Sequence, residues 1–159
     1  MIRLARGLYQ RPELAGTEAG HNLAEAARLV PHGVISLASA LRHYELTTQL
    51  PHAVWMTIPN KARIPKSEHL KLEIVRATGA GLTRGIRHVR IEGVDVPIYN
   101  VAKTVADCFK YRRHIGEDVA VEALRDALKK RKATPAEIME YAGIDRVAQL
   151  VRPYLQALQ

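Results

Sequence analysis

The run from Val96 to Arg131, VPIYNVAKTVADCFKYRRHIGEDVAVEALRDALKKR, constrains the fold more than any other part of this chain. Pro97 and Tyr99 in VDVPIY suit a strand edge better than a helix. The segment ends at Asn100, whose side-chain oxygen is suited to accept from the first free N–H groups of a following helix. A helix is therefore predicted from Val101. At 100° per residue, Val101, Val105, Cys108 and Phe109 share one side. Lys103, Asp107, Lys110 and His114 share the other, and the first three, at i, i+4 and i+7, are expected to form a solvated ion-pair ladder. Gly116 supplies a stop.

The rest of the chain extends this pattern of short strands and packed helices. Pro12, Gly16 and Gly20 make residues 12–20 read as turn-rich, and Asn22 with Glu25 reads as a capping box that opens a short helix ending before Pro31. In HGVISLASALRHYEL, Ser36 is a plausible cap, and Leu37, Leu41 and Tyr44 are spaced for one buried side. AVWMTIP has the β-branched and aromatic content of a buried strand, and HLKLEIVRAT alternates as a half-buried one. Between them NKARIPKSE is a polar, basic loop. IRHVRIEGVDVPIY divides at Glu92-Gly93 into a hairpin. Helices are predicted over 101–113, 117–131, 135–142 and 145–158. The third opens on Thr134-Pro135-Ala136-Glu137, a capping box with proline at the first helical position. The predicted class is α+β: a small mixed or antiparallel sheet with packed helices and a helical C-terminal third.

A chain of 159 residues is long enough to bury one real core. Its apolar runs fall far short of the roughly 20 residues that span a bilayer, and no secretory leader pattern opens it, so a cytoplasmic location is expected. The single cysteine, Cys108, rules out an intramolecular disulfide and a cysteine-built zinc site, and its place on the apolar side marks it as a core residue. Lys plus Arg number 24 against 16 Asp plus Glu, a formal charge of +8 that favours polyanionic partners. The excess gathers in three stretches: Arg3, Arg6 and Arg11; Arg84, Arg87, His88 and Arg90; and Lys129, Lys130, Arg131 and Lys132. The plainer reading of each is a solvated face.

No constellation carries catalysis. GAGLTRG lacks the third glycine of a dinucleotide loop and the Lys-Ser pair of a P-loop. The histidines are scattered rather than set at metal-ligand spacing, and Ser36 and Ser39 lack a nucleophile elbow. Asp107, Glu122, Asp126 and Lys103 could converge as a metal-dependent nuclease site, but their i, i+4 spacing fits exposed ion pairs better. The expectation is a non-enzymatic protein without metal or cofactor. A metal-dependent nucleic-acid-processing enzyme and a protein-interaction module that binds no DNA stay open as alternatives.

NVAKTVADCFKYRRHIGEDVAVEALRDAL resembles the signature stretch of the AbiEi family of antitoxins and transcriptional regulators, in which a proline-bearing strand leads into an AKT-x-x-D helix and an alanine-rich second helix. GVISLASALRHYELTTQLPHAVWMTIP and RVAQLVRPYLQAL resemble further parts of the same pattern. The resemblance implies a cytoplasmic type IV toxin-antitoxin regulator of phage defence (abortive infection). A winged helix-turn-helix would bind the operator DNA of its own operon. A C-terminal domain would counteract a nucleotidyltransferase-like toxin without requiring a stable complex. Residues 12–159 would be that antitoxin-type domain. Residues 1–11 resemble the last wing strand of the winged helix, with Arg3, Arg6 and Tyr9 on the wing. The element that reads DNA is missing from the pattern: either the sequence starts late relative to the family, or this member has lost it. Residues expected to contact nucleic acid are Arg3, Arg6, Tyr9, Arg11, Lys103, Lys110 and Arg113.

Overall fold

The structure is a computed structural model, and it describes residues 2–3, 9–10 and 12–158, with side chains from residue 18 onward. The elements in chain order are β1 (Ile2–Arg3), β2 (Tyr9–Gln10), α1 (Pro12–Leu29), β3 (Val34–Ile35), α2 (Leu37–His43), β4 (Val54–Pro59), β5 (Leu72–Ala77), α3 (Ala80–Thr83), β6 (Ile86–Ile91), β7 (Val94–Tyr99), α4 (Val101–Lys110), α5 (Arg112–Ile115), α6 (Glu117–Lys129), α7 (Pro135–Ile144) and α8 (Ala148–Leu158). The expected α+β class is what is found. β1 and β2 pair as an antiparallel ribbon, and the remaining strands form a mixed sheet in the order β5-β4-β3-β7-β6.

Two features of the sequence set the sheet. Glu92 and Gly93 both take positive φ, +52° and +77°, as the two-residue turn between β6 and β7 requires, and they register Ile91 opposite Val94 and Ile86 opposite Tyr99. β4 and β5 run parallel, paired from Val54 with Leu72 to Pro59 with Ala77, yet residues 60–71 between them contain no helix. One guanidinium holds the start of this link: Arg76 donates to the carbonyls of Pro59, Asn60 and Ala62.

Residues 12–20 are helix rather than turn, the first nine positions of a continuous α1 of 18 residues. Pro12 sits at the first helical position, where its missing N–H has no partner to lose. At Gly20 a Cβ would lie 3.4 Å from Ile91 Cγ2, so this glycine lets α1 approach the hairpin closely. Asn22 and Glu25 therefore lie inside the helix rather than at its start. Ile91 shares a pleat face with Val94, Val96 and Ile98, so α1 covers that side. Tyr99 points to the other side, where its hydroxyl donates to the Leu82 carbonyl just past the middle of α3.

α4 is the helix around which the second layer is built. Asn100 caps it as predicted, accepting from the Lys103 N–H at 2.8 Å, and all nine residues from Val101 to Phe109 are buried. A helix hidden on every side has no solvent face. The expected ladder of Lys103, Asp107 and Lys110 in water is thus overturned for its first two members, which are 1% and 2% exposed. Cys108 is buried, as its position predicted, and burial raises its thiol pKa. α6 and α7 pack on α4, and the capping box of α7 forms in full, with Thr134 Oγ1 accepting from the Glu137 N–H and Glu137 Oε1 from the Thr134 N–H. α7 runs two residues past its predicted end, so Asp145 is its C-cap instead of the first residue of the last helix.

Candidate functional site

The chemistry of this fold concentrates in two places: a buried ionic cluster on α4 and a cationic surface around the end of α2.

In the cluster, Lys103 and Asp107 stand one helical turn apart on the flank of α4 that meets α7. Lys103 Nζ donates to Asp107 Oδ1 at 2.5 Å and to Oδ2 at 2.7 Å, and Asp145 Oδ1 from the end of α7 lies 3.8 Å from the same nitrogen. The ammonium also lies 4.3 Å from the centroid of the buried Tyr99 ring, a cation–π contact. Above it the chain comes close enough that a Cβ at Gly85 would sit 2.9 Å from Lys103 Cβ and 3.1 Å from Tyr141. Among the described residues neither oxygen of Asp145 meets a hydrogen-bond donor, although both are buried. Burial, followed by the neighbouring Asp145 carboxyl, holds the Asp107 carboxyl well above its ordinary range against the pull of Lys103. Tyr99 is also raised, by burial and then by Asp107, and Tyr111 is pushed up to about 12 by the same causes in the same order.

This arrangement suits a structural ion cluster. The groups are sealed among α3, α4 and α7, where a substrate has no approach to them. The carboxylate that joins Asp107 is Asp145, whereas Glu122 is exposed on α6 and Asp126 half-buried. Lys130, four residues after Asp126, donates to the Glu45 carbonyl at 2.8 Å. Among the described residues no group of three His, Cys, Asp or Glu side chains is placed to hold a metal ion.

On the surface, the C-terminal end of α2 draws cations from three parts of the chain. Lys130 and Lys132 donate to the carbonyls of Glu45 and Tyr44, which are among the last unsatisfied acceptors past the helix end, where positive charge is favourable. Arg87 from β6 lies 5.9 Å from the centroid of the Tyr44 ring, and Tyr44 in turn donates its hydroxyl to the Tyr99 carbonyl at 2.8 Å. His43 completes the group. Partial burial, then Arg87, then Lys132 lower its imidazole pKa. Arg42 adds a buried Nε without an acceptor. Among the described residues, none of Arg42, His43, Arg87, Lys130, Arg131 and Lys132 takes part in an ion pair.

The residues expected at a nucleic-acid interface fare differently. Lys103 is corrected: an ammonium this deeply buried and doubly bonded to Asp107 meets no phosphate. Lys110 and Arg113 are exposed, with Lys110 Nζ 5.4 Å from the Tyr111 ring centroid. Arg6 and Arg11, and the side chains of Arg3 and Tyr9, lie outside the described residues. Of the basic stretches in the sequence, the second and third meet in space through Arg87, Lys130 and Lys132. Arg84 and His88 are turned instead to Glu140 and Asp95. Sequence reasoning missed Arg42 and His43. Their signal was present in the basic last turn of a predicted helix, LRHYE. It also missed Asp145, which local spacing could not connect to a helix 38 residues upstream.

Comparison with known proteins adds no assignment: the chain matches no protein-family model and no curated protein. No helix among the described residues is long and apolar enough to cross a membrane.

Proposed function

We propose that this chain is the body of an AbiEi-type antitoxin and transcriptional regulator, acting through non-enzymatic contact with nucleic acid and through neutralisation of a nucleotidyltransferase-like toxin. The observation that carries the polyanion contact is the cationic surface of Arg42, Arg87, Lys130 and Lys132 around His43, drawn from three parts of the chain and not neutralised by ion pairing among the described residues. Charges at such positions bind phosphates without reading sequence. Tyr44, the aromatic ring at its centre, is buried beneath Arg87 and leaves no open platform for unstacked bases. A duplex backbone fits this surface better than a single strand. The resemblance of NVAKTVADCFKYRRHIGEDVAVEALRDAL and its flanking stretches to the AbiEi pattern supports the specific reading. Lys103 and Asp107, the charged residues of the AKT-x-x-D part of that stretch, are buried and so have a packing role rather than a phosphate-contacting one.

The test is fluorescence anisotropy of the chain on the DNA upstream of its own gene and on scrambled DNA of equal length, at low and moderate salt. Equal binding that salt abolishes, weakened by Arg87→Glu with Lys132→Glu, is the expected result for this body. No binding to either duplex would overturn the polyanion contact. The antitoxin role is tested separately, by co-expression with a nucleotidyltransferase-like toxin encoded beside it, where rescue of growth is expected. Absence of such a neighbour, or of rescue, would count against it.

A further inference from the structure

Two carboxyls and one ammonium are enclosed together in this domain, and their formal charges do not cancel. The side chains of Lys103, Asp107 and Asp145 are 2%, 3% and 0% exposed. With both carboxyls ionised the enclosure would carry a net negative charge, and an uncompensated buried charge is among the most costly things a fold can contain. Asp107 takes both of its close contacts from Lys103, at 2.5 and 2.7 Å. Asp145, 3.8 Å from that nitrogen, finds no hydrogen-bond donor for either oxygen among the described residues.

The other charged and titratable groups around the cluster do not close the gap. From β7, Tyr99 presents its ring face to Lys103 and spends its hydroxyl on the Leu82 carbonyl. From α7, the Tyr141 hydroxyl accepts from Asn100 Nδ2 at 3.2 Å. Tyr111, which follows α4, turns its hydroxyl to the Arg76 carbonyl. Cys108 on α4 is buried beside Asp107 and holds a thiol that burial keeps neutral. Lys110, at the exposed end of α4, is a further cation on this side: both its Nζ and Asp145 Oδ1 lie 4.0 Å from where a Cβ on Gly81 would stand. It is exposed, and among the described residues it forms no ion pair with Asp145.

From this geometry we infer that the folded protein keeps one proton on the Asp107–Asp145 pair at neutral pH, so that α4 and the end of α7 are joined by a carboxylic acid–carboxylate contact beside the Lys103 ammonium. One such proton makes the enclosure neutral and gives Asp145 a partner. It belongs to the pair jointly, because two carboxyls this strongly coupled titrate as one system. The raised pKa of Asp107, caused first by burial and then by Asp145, has the same direction. The unfolded chain releases that proton near pH 4. The cluster's contribution to stability is therefore complete below that pH and is lost as pH rises through the higher folded value. The contact is a pH-sensitive fastening between the central helix and the C-terminal helices.

The direct test is carbon-detected NMR of the intact chain with aspartate side chains labelled, titrated from pH 5 to 9. One carboxyl carbon is expected to keep the chemical shift of a protonated acid at pH 7, and to disappear from that position in Asp145→Asn. All aspartates in the ionised position at pH 7 in the unsubstituted chain would overturn the inference, whether or not the variant folds. In thermal melts, Asp145→Asn, whose amide supplies the donor that the proton supplies, is expected to flatten the fall in melting temperature between pH 6 and 9. An undiminished fall in a folded Asp145→Asn would overturn it. A third arm adds sodium, potassium or magnesium at fixed pH and ionic strength. No selective change is expected, and a rise with one cation would mean that a metal ion, rather than a proton, balances the cluster.

Discussion

Lys103 and Asp107 are i, i+4 neighbours on α4, and the 2.5 Å contact between them lies wholly inside the protein. The same spacing on an exposed helix stabilises by about 0.2 to 0.5 kcal/mol. Buried, the pair matters through the cost of breaking it. Lys103→Met leaves two carboxyls with no cation, and the expected loss is about 3 kcal/mol or more, read as a fall in the urea midpoint with an unchanged slope. A loss under about 1 kcal/mol would mean that water reaches the cluster.

Gly85 and Gly93 separate two sources of glycine dependence. Both have positive φ, +85° and +77°, but a Cβ at Gly93 meets nothing within 4 Å, whereas one at Gly85 meets Lys103 Cβ at 2.9 Å. Gly93→Ala is expected to cost about 1 kcal/mol, the backbone contribution alone. Gly85→Ala adds displacement of Lys103 and Tyr141, for a total of about 2 to 3 kcal/mol. Parallel denaturation of the two variants checks the order.

The capping box of α7 is an independent handle. Thr134→Ala removes the acceptor for the Glu137 N–H and is expected to cost about 1 kcal/mol, lowering the melting temperature without altering anisotropy on DNA.

His21 and His43 should titrate in opposite directions from the ordinary histidine value. Glu92, which bonds His21 at 3.0 Å, is the main cause raising its pKa, with Glu25 assisting. Its contribution is therefore present below the unfolded value of about 6.5 and is lost as pH rises through the folded one. Partial burial, Arg87 and Lys132 lower His43, so its contribution is present above the unfolded value and is lost as pH falls through the folded one. Proton NMR of the two rings checks both signs. If a polyanion binds the cationic surface, its charge offsets Arg87 and Lys132, and the His43 pKa should rise when duplex DNA is added. An unmoved His43 beside DNA that still binds would place the contact elsewhere.

Where local chemistry decides structure, the sequence was readable. Asn100, the Thr134–Glu137 box and the Glu92-Gly93 turn each act within four residues, and each lies where the pattern put it. Pro12 and Gly20 misled because proline and glycine also serve helices, the first at a helix start and the second at a close approach to Ile91. β3 is only two residues long and exists because β4 and β7 flank it, which no local signal announces. The polar side of α4 was seen correctly as a polar stripe. Whether a stripe faces water depends on what else packs there, and α7, with Asp145 at its end, arrives from 38 residues away. The cationic surface was legible as composition, but only the fold shows that Arg87 and Lys132 meet over Tyr44.

The link between β4 and β5 is held at its start by Arg76 and at its end by the buried Leu70, while residues 66–69 between them are exposed. Limited trypsin digestion should therefore nick the chain first beside Lys66. The two fragments would still share the six registered residue pairs of β4 and β5 across the cut, and should migrate together under native conditions while separating in denaturant. A protein nicked there gives two segments that can be expressed apart and recombined, with β4 and β5 as the seam of the complementation.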